Sequence, residues 1–388
     1  MLTSRLQSSL TELATQHLLR SRTTITERTD KHVLVDGNLL LNFCSNDYLN
    51  LSTHPDVIAA FIQGVQAFGL GSGSSPAISG YSAAHQQLEE AAAEFLQRDR
   101  AMLFNSGYHA NLGVLTTFAN RHTSIIADKL CHASLIDGIT LSRAKHLRYH
   151  HNDIMHAELL LKKNSCEKLV VSESVFSMEG DIADVRSLST LALKQQAMLI
   201  VDDAHGIGVL GQHGRGICEH LQLSSHDVPC LVSPLGKSPG SMGAIVSGSS
   251  DVIDMLLQSA RTYRYSTAIP AAICTATLAA LKILSSDNER REKLRALSAF
   301  FLRETSRRGL ALTSFDTTPI KSILIGSNQA TFALQQKLIE RGLFVSCIRP
   351  PTVPVNKARI RISLNCAHTE MDILHLLDAL AEAYEQLR

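Results

Sequence analysis

Short apolar segments alternate with segments of helical periodicity along the first 270 residues of the chain. The apolar segments have the length of buried strands and lie at residues 101–104, 124–127, 168–172, 198–201, 230–232 and 244–246. Helical patterns lie between them, for example at 108–119 and 185–197. Strands that alternate with helices predict an α/β fold, with a mostly parallel sheet covered on both faces. In such sheets ligands bind beyond the carboxyl ends of the strands.

The pattern changes after about residue 270. Two long helical segments, 271–284 and 289–308, are followed by an apolar segment at 322–326 and by RIRISL at 359–364. The chain then ends in a helical pattern that Thr369 opens as N-cap. This sequence of elements predicts a smaller C-terminal α/β domain.

We therefore predict three parts. They are an N-terminal segment over 1–45, a large domain over 46–270 and a small domain over 271–388. Residues 1–20 have an amphipathic pattern, which predicts a helix that packs beside the small domain.

Composition narrows the class of protein. The 388 residues are 45% hydrophobic and carry a net charge of +1, so no overall field attracts nucleic acid or an anionic membrane. No apolar run approaches the roughly 18–20 residues that span a bilayer. The N-terminus has no unbroken apolar stretch and carries Glu12, which argues against a signal peptide. The eight cysteines form no CxxC pair and no zinc spacing, so we expect a cytoplasmic protein without a bound metal.

Lys237 is the one charged residue in the segment 228–250, among Gly, Ser, Pro and aliphatic residues. The segment has the composition of a surface loop. GKS at 236–238 also resembles a phosphate-binding P-loop, but Leu231 stands where that motif needs glycine, and Pro234 has no N–H group. A third interpretation is a sheltered lysine whose amine is nucleophilic and forms Schiff bases.

The segment MLIVDDAHGIGVLG at 198–211 ends a buried strand with Asp202 and His205. The glycines 206, 208 and 211 match GxGxxG, but that dinucleotide motif opens a helix, whereas GQHGRG follows here. We favour a carboxylate fixed at a strand end and aimed at a cationic ligand. An acidic loop would account for Asp203 but less readily for Asp202 and His205 together.

A strand also runs into SGY at 106–108, where a helix begins. The N–H groups at a helix start and the helix dipole favour an anion such as phosphate. Alone this is a routine strand–turn–helix junction, and His132 alone is a routine core histidine. Together with Asp202 and Lys237, they match the way proteins hold pyridoxal 5'-phosphate (PLP), with a lysine imine and an acidic partner for the ring nitrogen.

Several motifs resemble those of the α-oxoamine synthases, which are PLP enzymes of fold type I. They are NFCSNDYLNLS, GSGSSPAISGYSAAHQQLE, SESVFSMEGD, VDDAHGIGVLG, YSTAIPAA and IRPPTVPVNKARIRISLNCAHT, and they cover nearly the whole chain. The resemblance implies a sheet of the seven-stranded type and a homodimer with shared active sites.

The activity that the resemblance implies is a decarboxylating condensation of L-alanine with a pimeloyl thioester. The acyl group would be carried on CoA or on acyl carrier protein. Two alternatives stay open, namely another α-oxoamine synthase that uses glycine or serine, and a non-catalytic partner subunit. Such a subunit tends to lose the Schiff-base lysine or the aspartate, whereas this chain keeps both.

The resemblance also implies roles for single residues. Lys237 would carry PLP and act as acid and base, Asp202 would pair with the ring nitrogen, and His132 would stack on the ring. Further cofactor contacts are implied for Gly107, Tyr108, Ser177, His205 and, from the partner subunit, Thr267.

Three more residues would bind substrates. Arg361 would hold the carboxylate of the amino acid, and Arg20 and Thr352 would lie along the path of the acyl group. One departure concerns the phosphate. The family usually has a threonine where this chain has Pro234, so we expect Ser233 to take over as a cofactor contact.

Overall fold

The protein is described by a computed structural model that covers residues 2–164 and 166–385. In chain order, helices α1 to α14 are Leu2–Thr15, Pro55–Phe68, Ala83–Leu96, Gly107–Phe118, Ala133–Ser142, Ile154–Lys162, Val185–Lys194, Ile217–His220, Ser250–Ser259, Arg261–Arg264, Ala271–Ser286, Asn288–Arg307, Asn328–Glu340 and Glu370–Glu385. Strands β1 to β14 are Ile25–Arg28, His32–Val35, Asn38–Asn42, Arg100–Phe104, Thr123–Asp128, Lys145–Tyr149, Glu167–Glu173, Met198–Asp202, Cys230–Pro234, Ala244–Gly248, Ile320–Gly326, Leu343–Phe344, Ser346–Ile348 and Ala358–Ser363.

The chain divides into two compact units. The larger contains residues 49–177 and 182–291, and the smaller contains 1–48, 178–181 and 292–388. The larger unit ends at residue 291, about one helix later than the predicted residue 270. The difference arises because α11 packs against α2 and α3 of the larger unit.

The larger unit is built on a seven-stranded sheet in the order β4-β10-β9-β8-β7-β5-β6. Strand β10 runs antiparallel to β4 and β9, and the other neighbours are parallel. The predicted α/β fold class with a mostly parallel sheet is confirmed. Strand β10 reverses direction because residues 235–243 are too few for the crossover that a parallel neighbour needs.

This topology puts several strand ends at one edge of the sheet. Strands β5, β7, β8 and β9 are parallel, and β4 runs in the same direction because both β4 and β9 are antiparallel to β10. All of their carboxyl ends therefore meet at one edge, where ligands bind in sheets of this kind. The helices α4, α5 and α9 cover one face with a core of aliphatic side chains that includes Val114, Leu135 and Leu256.

The smaller unit joins both ends of the chain. It contains a four-stranded sheet, β1-β2-β3-β12, and a three-stranded antiparallel sheet, β11-β14-β13. Helix α1 buries none of its side chains, so it does not itself provide the predicted contact of residues 1–20 with the small domain. The segment after α1 makes the contact instead, since Asn328 donates to the Gln16 carbonyl at 3.3 Å and Arg349 donates to the His17 carbonyl.

Candidate active site

Lys237 lies in the tight loop that joins β9 to β10. The loop is closed by hydrogen bonds from the Gly240 N–H to the Lys237 carbonyl at 2.8 Å and from the Leu235 N–H to the Gly243 carbonyl at 2.9 Å. Gly240 has φ +65°, and a Cβ there would lie 2.3 Å from the Ser52 nitrogen. The backbone therefore needs glycine at this position, and it holds the half-buried lysine at the carboxyl edge of the sheet.

The Lys237 amine contacts a buried imidazole. Its Nζ lies 3.0 Å from Nε2 of His205, which follows strand β8. Asp202, the last residue of β8, is also buried, and its carboxylate accepts from Asn111 Nδ2 at 2.7 Å and from the Ala204 N–H at 3.0 Å. The two hydrogen bonds fix the carboxylate in one orientation and compensate its negative charge.

His132 caps the N-terminus of α5 at the same edge of the larger unit. Its backbone N–H donates to the Glu173 carboxyl at 2.6 Å, and its Nδ1 lies 2.7 Å from the Ser134 hydroxyl. Burial lowers the pKa of His132, so the ring is neutral at neutral pH. A neutral ring with a fixed orientation is suited to stack on a flat ligand.

The start of α4 provides backbone donors for an anion. Ser106 is the N-cap, and its hydroxyl accepts from the His109 N–H at 3.2 Å. Gly107 and Tyr108 are the first two helical residues, whose N–H groups lack partners within the helix. A Cβ on residue 107 would lie 2.7 Å from Cγ of Pro234, so only glycine fits beside the proline. The Tyr108 hydroxyl donates to Asp137.

Ser233 does not face this anion site, contrary to the expectation from the sequence. Side chains alternate along a strand, and Pro234 is the β9 residue that contacts Gly107. Ser233 therefore points to the opposite face of the sheet. There its buried hydroxyl has no hydrogen-bond partner among the described residues.

Two more of the predicted cofactor contacts, Thr267 and Ser177, also belong to the larger unit. Thr267 is exposed, and its carbonyl accepts from Asn105 Nδ2 at 2.7 Å, close in sequence to the start of α4. Ser177 is half-buried in the segment that follows β7. Their roles toward a cofactor stay predictions.

The predicted substrate residues all belong to the smaller unit. Arg20 donates to the Thr352 hydroxyl at 3.0 Å, and both line a cavity of about 650 Å³. Arg361 on β14 is buried, and its guanidinium donates to Ser363 Oγ at 2.8 Å and to Asn46 Oδ1 at 3.2 Å. These two hydrogen bonds orient the guanidinium.

The GxGxxG match at 206–211 has a packing explanation. A Cβ on Gly206 would lie 1.9 Å from one oxygen of the buried Asp203, and a Cβ on Gly216 would lie 1.7 Å from the other. The Asp203 carboxylate also accepts from the Ile217 N–H at 3.2 Å. Gly206 in the match and Gly216 outside it thus give the Asp203 carboxylate room, whereas a Cβ on Gly208 or Gly211 would meet Ser238 or Glu219 instead.

The sequence did not single out Asn111 or Glu173, although both contact predicted site residues. Asn111 lies in the middle of α4, where a polar residue gives no separate signal. Glu173 was recognisable in principle, because it ends an apolar strand in the same way as Asp202 does.

Metal-binding side chains come together at another place. His150, Asp153 and His156 could jointly hold an ion, but Asp153 caps α6 and accepts from the His156 N–H. The positive end of the helix dipole disfavours a cation at this position. We assign no metal to these residues.

No helix in the described part of the chain has both the length and the apolar character needed to cross a membrane.

Comparison with known proteins places the chain among enzymes. A curated 8-amino-7-oxononanoate synthase of Pseudomonas syringae pv. tomato is 46% identical over 382 residues, which cover 98% of this chain and 96% of that protein. The crystal structure of 8-amino-7-oxononanoate synthase from Francisella tularensis is 35% identical, with a TM-score of 0.80 over 89% of this chain and 98% of that one.

A serine palmitoyltransferase from S. paucimobilis with a bound PLP-myriocin aldimine is 26% identical, with a TM-score of 0.94 over 98% of this chain and 97% of that one. These relatives confirm the resemblance to α-oxoamine synthases that the sequence motifs indicated. Residues 39–380 match the family described as aminotransferase class I and II. The chain therefore belongs to the aminotransferase class I and II family.

Proposed function

We propose that the protein is a PLP-dependent 8-amino-7-oxononanoate synthase. It joins L-alanine to a pimeloyl thioester, with loss of carbon dioxide and release of the thiol. The observation that carries the proposal is the Lys237 amine 3.0 Å from His205, at the sheet edge where Asp202 ends β8. The relatives with 46% identity over nearly the full chain supply the choice of reaction.

The residues at the sheet edge fit PLP. The cofactor has an aldehyde that reacts with an amine, a ring nitrogen that pairs with a carboxylate and a phosphate that binds backbone N–H groups. Lys237, Asp202 and the start of α4 offer these three partners in one unit. Gly107 keeps the start of α4 free of a side chain, as a close approach of phosphate to the backbone requires.

When bound, PLP supplies an electron sink for the negative charge that develops on the α-carbon of alanine. Asp202 would stabilise the protonated ring nitrogen and so strengthen that sink. The neutral ring of His132 would stack against the cofactor, and His205 would contact its ring oxygen. Lys237 takes the proton from the α-carbon and later returns one.

Residues of the smaller unit bind the substrates. The Arg361 guanidinium holds the carboxylate of alanine by a bidentate contact, for which its planar fork is suited. Arg20 and Thr352 line the path of the acyl group. The eight free thiols fit a protein that works in the reducing cytoplasm.

Product identification tests the proposal directly. The purified protein is incubated with PLP, one of alanine, glycine or serine, and one of pimeloyl-CoA, acetyl-CoA or palmitoyl-CoA. We expect alanine and pimeloyl-CoA to give 8-amino-7-oxononanoate at the highest kcat/KM. A preference for serine and palmitoyl-CoA would instead make the protein a serine palmitoyltransferase, to which its fold is also similar. A parallel assay with pimeloyl-acyl carrier protein identifies the natural carrier.

Replacing Pro234 by threonine should tighten PLP binding about tenfold to a hundredfold. Residue 234 faces Gly107, so a hydroxyl there can donate to the phosphate, and such a bond to a charged group contributes about 1.5–3 kcal/mol. The measurement is PLP dissociation from each variant by fluorescence. Ser233→Ala is the matched control, because Ser233 points to the other face of the sheet. A weaker affinity in Ser233→Ala would contradict this geometry.

We also propose a homodimer with shared active sites. Leu70 and Ile78 are 81% and 80% exposed, and Tyr265 beside Thr267 is 68% exposed, which leaves apolar surface for a second copy to cover. In this arrangement Thr267 of one subunit reaches the phosphate site of the other.

Mixing two defective variants tests the sharing. Lys237→Ala and Thr267→Ala homodimers are exchanged under mild denaturant and assayed at limiting PLP, with sedimentation to measure the oligomer. One site of each mixed dimer then has both native residues, so activity should recover. A fully active monomer, or a mixture no more active than its components, would rule the arrangement out.

A further inference from the structure

Glu173 is a buried carboxyl at the sheet edge to which no role has yet been given. It ends β7 directly opposite Asp202 on the parallel neighbour β8, and its residue is 3% exposed. Its carboxyl accepts from the His132 N–H at 2.6 Å, at the turn that leads into α5. It thus contacts one predicted cofactor residue and lies beside another.

Two carboxyl groups side by side in a buried place do not both ionise without a large cost. The hydrogen bonds decide which of them keeps the negative charge. Asp202 accepts from the Asn111 side chain and from the Ala204 N–H, whereas Glu173 accepts from one backbone N–H. Donated hydrogen bonds stabilise an anion, so the charge is favoured on Asp202.

The other charged groups around Glu173 point the same way. Burial raises the pKa of Glu173 well above its usual value, and the nearby Asp202 and Asp128 raise it further. Lys237 and the hydrogen bond from His132 act in the opposite direction but do not outweigh burial. His132 itself is neutral, so it offers no counter-charge.

We propose that Glu173 is a positioning residue that works as a neutral carboxylic acid. It anchors the turn that holds His132, and it leaves the negative charge at this edge on Asp202. Its link to the cofactor rests on the proposed function, since His132 and Asp202 are the residues that would contact PLP. An ionised Glu173 would instead stabilise the Lys237 ammonium and keep the amine protonated.

Infrared spectroscopy of the protein without PLP tests the protonation state. Burial raises the pKa of two other carboxyl groups, those of Glu89 and Asp203, to about 7. Spectra are therefore taken at about pH 8, where these two groups are mostly ionised and do not contribute to the band. We expect the carbonyl band of a protonated carboxylic acid, and we expect Glu173→Gln to remove it. Glu89→Gln is the matched control, because Glu89 is also a largely buried carboxyl that accepts from a backbone N–H, that of Leu103 at 2.7 Å. The control should keep the band.

The protein with bound PLP gives a second readout. Glutamine is neutral and can accept the same hydrogen bond, so Glu173→Gln should shift the pH midpoint of the PLP absorbance band by less than about 0.3 unit. Glu173→Ala removes the acceptor of the His132 N–H, and its PLP affinity should fall about threefold to tenfold.

Three results would overturn the proposal. The first is a wild-type infrared spectrum without the band of a protonated carboxylic acid. The second is a pH midpoint of the PLP absorbance band that falls by about one unit or more in Glu173→Gln. The third is a Glu173→Gln protein that does not fold, because a neutral isostere should be tolerated at this position. Failure of the wild-type protein to bind PLP would count against the proposed function, and the infrared result would still decide the state of Glu173.

Discussion

Lys237→Ala should lower turnover by about 10⁴-fold or more and abolish the covalent attachment of PLP. A proton-transfer group at a reacting carbon contributes about 10²–10⁴-fold. Under the proposed function Lys237 would also supply the amine that fixes the cofactor, so its loss should add a second defect. The measurements are kcat with alanine and pimeloyl-CoA, and mass spectrometry of the borohydride-reduced protein.

Lys282→Ala is the matched control for this variant. Lys282 is an exposed lysine on α11 of the same unit, and it should be dispensable. A reducible PLP adduct that persists at a different lysine in Lys237→Ala would remove Lys237 from its assigned role.

Asp202→Asn should lower kcat by about 10²–10³-fold, the usual effect of removing one group that stabilises charge in a transition state. The amide keeps the shape of the side chain, but under the proposed function it could not hold a proton on the ring nitrogen of PLP. The electron sink would be weakened while the cofactor still binds. Stopped-flow absorbance with L-alanine separates the slowed proton removal from substrate binding.

Asp203→Asn is a control for the neighbouring carboxyl, and it should affect stability rather than turnover. Burial raises the pKa of Asp203 to about 7, above the 3.8 of an unperturbed aspartate. The stability that this group contributes is therefore fully present below about pH 4 and lost as the pH rises through 7. Asparagine is always neutral, so the drop in melting temperature on Asp203→Asn should be smaller at pH 8 than at pH 6. Equal losses of kcat in the two variants would contradict the division of roles.

The strands and the charged residues at their ends were predictable because each carries a local signal. Buried parallel strands are runs of aliphatic residues, and Asp202 interrupts such a run where it ends. Strand β6 was not predicted because it is the outermost strand of the sheet, with only one neighbouring strand. Charged residues such as Lys145 and Arg148 are tolerated there, so the strand is not an apolar run. The family motifs supplied what patterns could not, such as the assignment of Arg361.

What could not be predicted depends on which way a side chain points. Ser233 and Pro234 are neighbours in sequence, but the pleat of β9 directs them to opposite faces of the sheet. The contact between Glu173 and His132 joins residues that meet only after β5 and β7 have paired. Likewise, α11 belongs to the larger unit because of its contacts with α2 and α3, which leave no mark in its own sequence.

The contact between Pro234 and Gly107 constrains the order in which descendants of this protein can change. While the proline is present, alanine at position 107 would put a methyl group 2.7 Å from its ring, so that mutation is deleterious. A change from proline to serine removes the ring atom at 2.7 Å and leaves only the 3.1 Å contact with the Cβ of residue 234, so the same mutation at 107 becomes less costly. A substitution whose effect depends on a prior change elsewhere shows epistasis, and here the two positions are distant in sequence. In an evolutionary lineage that starts from this protein, position 234 should therefore change before position 107 does.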